Sequence, residues 1–313
     1  MEYLSLLIGL AGLWFGTEIT IRGAVSVAER LGVSEFIVGV AILSIGSDLP
    51  ELAIAIDGAI KNLHSGDTAD IIVGTALGSS LGQIGFVLGV AALFSYLTLP
   101  RSTIYRHGSV LLGSVVLLGV FGFDGHVSQT EGVALVTVYL IYFVALFGDR
   151  SKSAAHQEDG APGTLRAWVY LVVGLAIVGV SAEFTVDGAI AVAAALNVSE
   201  AFIAVIIIGL GTSLPELSIS VGAAIRNRTR MSVGNLVGSN IFDTLVPVGV
   251  AAAIAGLRFN PGLLEFEVPF LFALTLTVLF FFVRKRGIQK GEAVTILALY
   301  GGYVILKFSN ALN

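Results

Sequence analysis

The sequence predicts an all-α membrane protein of about ten transmembrane helices, arranged as two inverted-topology five-helix repeats. Three observations carry this reading: the composition, the spacing of the apolar stretches, and a match of one half of the chain onto the other. Of 313 residues, 56% are hydrophobic and only 12% charged, about half the charge of an ordinary soluble domain. So little charge cannot wrap a water-soluble globule, which excludes a disordered chain, a nucleic-acid-binding protein and a soluble enzyme. The chain has no cysteine, so disulfides, thiol catalysis and thiolate metal sites are excluded as well.

A bilayer-spanning helix takes about twenty residues. The apolar stretches supply ten, at roughly 3–28, 34–60, 70–97, 105–123, 129–148, 167–194, 200–224, 231–256, 264–283 and 291–309. The first, MEYLSLLIGLAGLWFGTEIT, has neither a basic leader nor a small-residue cleavage site and reads as a retained helix. The second and seventh each contain a Leu-Pro-Glu, and proline interrupts a helix. The third and eighth are rich in glycine, which favours close helix contact in membranes. The polar stretch 149–166, DRSKSAAHQEDGAPGTLR, is a linker too short for a regulatory domain; it separates a first repeat at 1–148 from a second at 167–313.

Orientation follows from the basic residues. Thirteen of the 17 Lys and Arg fall on one side of the ten-span arrangement, three (Lys61, Arg258, Lys307) on the other, and Arg22 lies within the first span. The basic side is expected to be cytoplasmic. The linker 149–166 then faces the cytoplasm and both termini face outward.

The two halves match without gaps at a shift of 165 residues. Glu18 falls on Glu183, Gly23 on Gly188, Val33-Ser34-Glu35 on Val198-Ser199-Glu200, and Leu49-Pro50-Glu51-Leu52 on Leu214-Pro215-Glu216-Leu217. At a shift of 160, Gly74, Gly78 and Ser79 fall on Gly234, Gly238 and Ser239, and Gln83 on Asp243. Five helices per unit is an odd number, so the second unit enters the membrane upside down. Inverted repeats suit alternating access, in which one site is exposed to opposite sides by two near-equivalent conformations.

The matches concentrate on polar residues at bilayer depth. Pro50 leaves the carbonyl of Gly46 without its helical donor, and Pro215 does the same for Gly211. Ser44, Ser47, Asp48 and Glu51 share one helical face, and Thr212, Ser213, Glu216 and Ser220 the corresponding one. Thr75, Ser79 and Gln83 step by four, as do Asn235, Ser239 and Asp243. An ionised carboxylate at the bilayer centre costs on the order of 2.5 kcal/mol even on lenient insertion scales. No lysine lies near these stripes to offset Asp48, Glu51, Glu216 and Asp243. The missing positive charge is therefore expected from bound ions, and all-oxygen ligation suits hard cations such as Na⁺, Ca²⁺ or Mg²⁺ rather than copper or zinc. Glu18, Arg22, Asp57, Glu183 and Asp187 are weaker candidates, since packing pairs or snorkelling at helix ends explain them equally well.

With these motifs, GSDLPEL with VGTALGSSLGQIG (73–85) and GTSLPEL with VGNLVGSNIFD (233–243), the whole chain resembles the cation/Ca²⁺ exchanger superfamily, specifically its ten-helix sodium/calcium exchanger branch. The resemblance implies an antiporter that exchanges Ca²⁺, or a similar divalent cation, for Na⁺. It implies Ca²⁺ ligation by Glu51 and Glu216 with the carbonyls of Ser47 and Thr212. One implied Na⁺ site uses Ser213, Ser239 and the Gly209 carbonyl; another uses position 48, Ser79 and the Ser44 carbonyl. Gln83 and Asp243 close the middle, and the first and sixth helices lie aslant and slide. Two residues depart from the family pattern: Asp48 stands where a serine or other small residue is usual, and Gln83 where asparagine is common. The extra carboxylate makes H⁺ coupling through Asp48 the main rival to Na⁺ coupling, although the proton-coupled branch has Asn-x-x-Glu where this chain keeps Pro-Glu twice. No cofactor and no enzymatic activity are expected, and the partners are inorganic cations and the lipid bilayer, with neither nucleic acid nor an obligatory protein partner. A channel is disfavoured because this site is complete within one chain, whereas acidic rings in channels are built by oligomeric symmetry. An intramembrane Asp-pair hydrolase is disfavoured because freed carbonyls beside the glutamates make a cation cage, not a peptide site.

Overall fold

A computed structural model of the chain describes residues 2–65, 68–148, 164–195, 211 and 213–311. Helix α1 (Glu2–Leu31) ends at Gly32, whose positive φ of 64° lets the chain turn. Ser34 caps the next helix, α2 (Glu35–Ser47), by accepting a hydrogen bond from the Ile37 amide. Within α2, Gly39–Leu43 form a π-helical turn. The helix breaks at Asp48 and resumes as α3 (Leu49–Ser65), bent by 47°, where the sequence placed a proline break.

Helix α4 (Ala69–Phe94) contains a second π turn, Gln83–Val87. Helices α5 (Arg101–Phe121) and α6 (Gln129–Gly148) complete the first half, and α7 (Thr164–Ala195) begins three residues before the predicted span. Of the predicted seventh span, the structure describes α8 (Leu214–Ile225). Then follow α9 (Thr229–Ala255), α10 (Gly262–Lys285) and α11 (Lys290–Ala311). Among the described residues six helices are long and apolar enough to cross a bilayer, and the bent α2–α3 pair makes a seventh. The ten expected passes also include α1 with Glu18 and Arg22, α11 with a charged residue at either end, and the short α8.

The inverted relation of the halves is visible in the contact of α1 with α7. A side chain at Gly9 would meet the Thr185 backbone nitrogen at 2.6 Å, and one at Gly174 the Thr20 nitrogen at 2.5 Å. At the 165-residue shift these are the same contact, made once from each side. Gly23 facing Leu171 and Gly188 facing Leu6 form a second such pair. Contacts rise in one helix as they fall in the other, so the two long helices run antiparallel about a pseudo-two-fold axis. Thr20 and Thr185, equivalent positions, each turn their hydroxyl back to a carbonyl of their own helix, Gly16 at 2.8 Å and Ser181 at 2.7 Å.

Two short β-links repeat the symmetry. β1 (His126–Val127) pairs antiparallel with β2 (Leu257–Arg258), and Leu97 bridges Ile288. Leu97 is the counterpart of Leu257 at the 160-residue shift, so each link joins one half to the other. Two apolar cores are distinct. The larger unites α2 to α6 with α9 to α11; the smaller consists mainly of α1, α7 and α8, with Val38, Leu43 and Met231. Large apolar side chains such as Phe15, Tyr105, Ile141 and Val172 face outward, which suits a lipid surface and no aqueous one.

Candidate cation-binding site

The site forms where the two broken spans meet the glycine-rich helices. Gly39 sets α2 against the α9 backbone at Met231 and Asn235, and Gly234 and Gly238 receive Phe36 and Val40 from the other side. So close an approach, possible only without Cβ atoms, brings the α2 break beside the polar stripe of α9. At the break, the Asp48 amide donates to the Ser44 carbonyl (2.9 Å) and bonding resumes from Leu52 to the Asp48 carbonyl (3.2 Å). Between them, no backbone amide among the described residues takes the carbonyls of Gly46 and Ser47.

The predicted side chains are buried together. Asp48, Glu216, Asp243, Ser44, Ser239 and Gln83 are fully enclosed, with Ser47, Ser79, Ser213 and Glu51 nearly so, Glu51 at 5% exposure. The carboxyl groups of Asp48, Glu51, Glu216 and Asp243 lie within electrostatic reach of one another. Asp48 and Glu216 face each other without a hydrogen bond of good geometry. Residues Thr212 and Gly209, expected to supply carbonyls, lie outside the described residues.

One flank of the cluster is held by amides. Gln83 donates to Asp243 at 2.9 Å and to the Ser79 hydroxyl at 3.1 Å, while Asn240 donates to the Gln83 carbonyl oxygen at 2.8 Å. Asn235 donates to Ser220 at 3.0 Å. The Ser44 carbonyl already accepts from the Asp48 amide and from the Ser47 hydroxyl (3.1 Å), so a cation there would take the hydroxyl's place. Asn240 has a positioning role that the sequence reading missed. Its only signal was its place in GSNIFD, one residue beyond Ser239, opposite Ser80 in the other repeat.

The chemistry of the cluster is one-sided. Asp48 Oδ2, Glu51 Oε2, both Glu216 oxygens, Asp243 Oδ1, Asn235 Oδ1, Ser213 Oγ and Ser239 Oγ are buried with no hydrogen-bond partner among the described residues. All are oxygen atoms able to accept, and among the described residues no basic side chain partners the four acids. Buried polar groups are normally satisfied, and buried charges paired. Among the described residues, no three His, Asp or Glu side chains converge as a ready-made metal cage. The set instead combines carboxylates, hydroxyls, an amide oxygen and freed carbonyls. Such a mixed oxygen shell suits a hard cation.

Access is unequal. A cavity of about 350 Å³ reaches the cluster from one end, lined by Pro50, Glu51, Ile54, Glu183, Asp187 and Pro215. A second cavity, about 260 Å³, lies at the opposite end between α1 and α8, lined by Leu13, Trp14, Thr17, Val221 and Arg226 and touching neither glutamate.

Comparison with known proteins gives concordant matches. The family model described as sodium/calcium exchanger protein matches residues 1–148 and 166–309. An uncharacterised membrane protein of Methanocaldococcus jannaschii is 32% identical, covering 94% of each chain. The sodium/calcium exchanger MaX1 of Methanosarcina acetivorans is 27% identical over 98% of this chain and 99% of its own. Among solved structures, the sodium-calcium exchanger NCX_Mj soaked with zero Na⁺ and Ca²⁺ superposes with a TM-score of 0.82 at 30% identity, covering 96% of both chains. The same exchanger soaked with 2.5 mM Na⁺ and 0.1 mM Ca²⁺ gives 0.78 at 31% identity.

Proposed function

The chain belongs to the sodium/calcium exchanger family, a family of multi-pass membrane cation antiporters, and from that premise we propose that it exchanges Ca²⁺ for Na⁺ by alternating access. The observation that carries this reading is the set of orphaned buried oxygens contributed by both repeats. A cation entering there satisfies them and supplies the charge that the protein withholds.

In this reading Glu51 and Glu216 clasp Ca²⁺ from opposite repeats, with the carbonyls of Ser47 and Thr212 completing the shell. Na⁺ occupies flanking positions, at Ser213, Ser239 and the Gly209 carbonyl on one side, and at Asp48, Ser79 and the Ser44 carbonyl on the other. Gln83 and Asp243, braced by Asn240, hold the middle. Two Na⁺ carry the same charge as one Ca²⁺, so either cargo neutralises the glutamate pair, whereas an empty centre keeps all of its negative charge and resists closure. That difference couples the two fluxes. The small core of α1 and α7, separate from the core around the site, is the part that slides. The basic loops and the linker 149–166 lie on the cytoplasmic side, and both termini lie outside.

The test is Ca²⁺ uptake into proteoliposomes loaded with Na⁺. Uptake should follow the outward Na⁺ gradient and vanish when Na⁺ is equal on both sides. Asp48 supports a second reading, since it adds a buried carboxylate with no basic partner where Na⁺ coupling does not require one. If uptake ignores Na⁺ and follows a pH gradient, the antiporter is H⁺-coupled. Asp48→Ser then abolishes the pH dependence, and an unchanged pH profile clears Asp48 of that role.

A further inference from the structure

Resting on the alternating-access reading, we propose that two ion pairs related by the inverted repeat close the two faces of the site in turn. Glu18–Arg226 shuts one face here, and Glu183–Lys61 is its counterpart for the other. Glu18 of α1 accepts on Oε2 from Arg226 Nε (2.8 Å) and Nη2, and on Oε1 from Arg22 Nε (2.6 Å). Arg226, at the end of α8, also donates to the Gly222 carbonyl at 3.0 Å and lies 5.5 Å over the Trp14 ring. Their side chains are 31% and 23% exposed. Nearby, Thr17 and Ser218 share a hydrogen bond across the same α1–α8 seam. These contacts bolt α1 to α8 on the side where the cavity stops short of both glutamates.

Shifted by 165 residues, Glu18 becomes Glu183 and Lys61 becomes Arg226. At the open face the same positions are parted. Glu183 lines the cavity that leads to Glu51, together with Asp187, and makes no ion pair among the described residues. Lys61 instead holds Asp57, one turn back on its own helix, at 2.5 Å. Two equivalent pairs, one made where the site is shut and one parted where it is open, are what an inverted repeat requires of a gate. When the molecule turns over, α7 carries Glu183 to Lys61 as α1 carries Glu18 away from Arg226.

The pairs are not equal. The counterpart of Arg22 is Asp187, so Glu183 gains a repelling neighbour where Glu18 gains a second cation. Gly222 corresponds to Asp57, which competes for Lys61. A lysine is a point charge, whereas arginine offers a planar fork. Each difference weakens the Glu183–Lys61 lock, so the molecule rests with the Glu51 cavity open, on the extracellular side in the proposed orientation.

The cysteine-free chain allows a direct test. Ile54→Cys in the open cavity and Ile219→Cys, at the equivalent position of the other repeat and fully buried, are each labelled with a membrane-impermeant maleimide from the side of the membrane that its half of the site faces. In Glu18→Gln, labelling of Ile219→Cys should rise relative to that of Ile54→Cys, the ratio of the two changing by roughly fivefold, equivalent to about 1 kcal/mol of lost pairing. Asp187→Arg with Asp57→Asn, both at exposed positions, copies the inner arrangement outside and should shift labelling the same way. Labelling unchanged in both variants overturns the proposal. Ca²⁺-dependent thermal stabilisation is measured alongside. If it persists while labelling does not move, the locks fail and the exchanger reading stands. If the unmodified protein shows none, the exchanger reading fails and takes the locks with it.

Discussion

A carboxylate with neither donor nor counter-charge is an expensive thing to bury, and Glu216 is fully buried with both oxygens in that condition among the described residues. Removing its charge should therefore have two effects of opposite sign. Glu216→Gln keeps the shape and removes the unpaired charge, so the ion-free protein should melt at a higher temperature, by the equivalent of about 1 kcal/mol or more. The same variant should lose its Ca²⁺-dependent stabilisation, because an amide cannot balance a divalent ion. Both are read from thermal unfolding with and without Ca²⁺, and a variant that is less stable in the ion-free state but keeps its Ca²⁺ response contradicts the assignment. At this scale the glutamates, Asp48 and Asp243 were legible in the sequence because an acid at bilayer depth needs a reason. Asn240 was not. An amide is cheap enough in a helix that its residue type does not reveal which way it points, and only the donation to Gln83 assigns it to the site.

Helices α1 and α7 meet along small residues, and that seam is both a close contact and a track. Alanine at Gly9 or Gly174 would place a methyl against the backbone of Thr185 or Thr20. Each substitution should force the helices apart, lower stability by about 1–3 kcal/mol and slow exchange; equal effects are expected because the two positions are symmetry-related. Thermal unfolding and Ca²⁺ uptake measured on both variants check this, and a large effect at one position with none at its counterpart argues against a shared track. The break between α2 and α3 was readable from Pro50, since proline deletes a helical bond wherever it sits. The π turns at Gly39–Leu43 and Gln83–Val87 left no such mark. A π turn is one extra residue in the helix, set by what packs against it. The other repeat carries Pro247 at the position equivalent to Val87, the last residue of the π turn in α4, so both halves depart from regular helical bonding at the same place by different means.

At the scale of the molecule, two halves of opposite orientation build one centre at their interface, and neither half alone holds a balanced set of ligands. The span order, the basic-side asymmetry and the repeat were all written in the sequence, because they depend on periodicity and charge count. Which face is open was not, because two packings of one chain that differ by a few kcal/mol share every local preference. The claim on which the rest depends is that the transported cation supplies the charge missing from this shared centre. Thermal unfolding of the purified protein, titrated with Ca²⁺ and with Na⁺, tests it most directly, since a ligand of the folded state raises apparent stability by about 2.7 kcal/mol at one hundred times its Kd. The account predicts saturable stabilisation by Ca²⁺, a weaker response to Na⁺, a Ca²⁺ midpoint that moves upward when Na⁺ is present, and loss of the Ca²⁺ response in Glu51→Gln and in Glu216→Gln. Unfolding that ignores both ions, or a Ca²⁺ response that survives replacement of both glutamates, would contradict it.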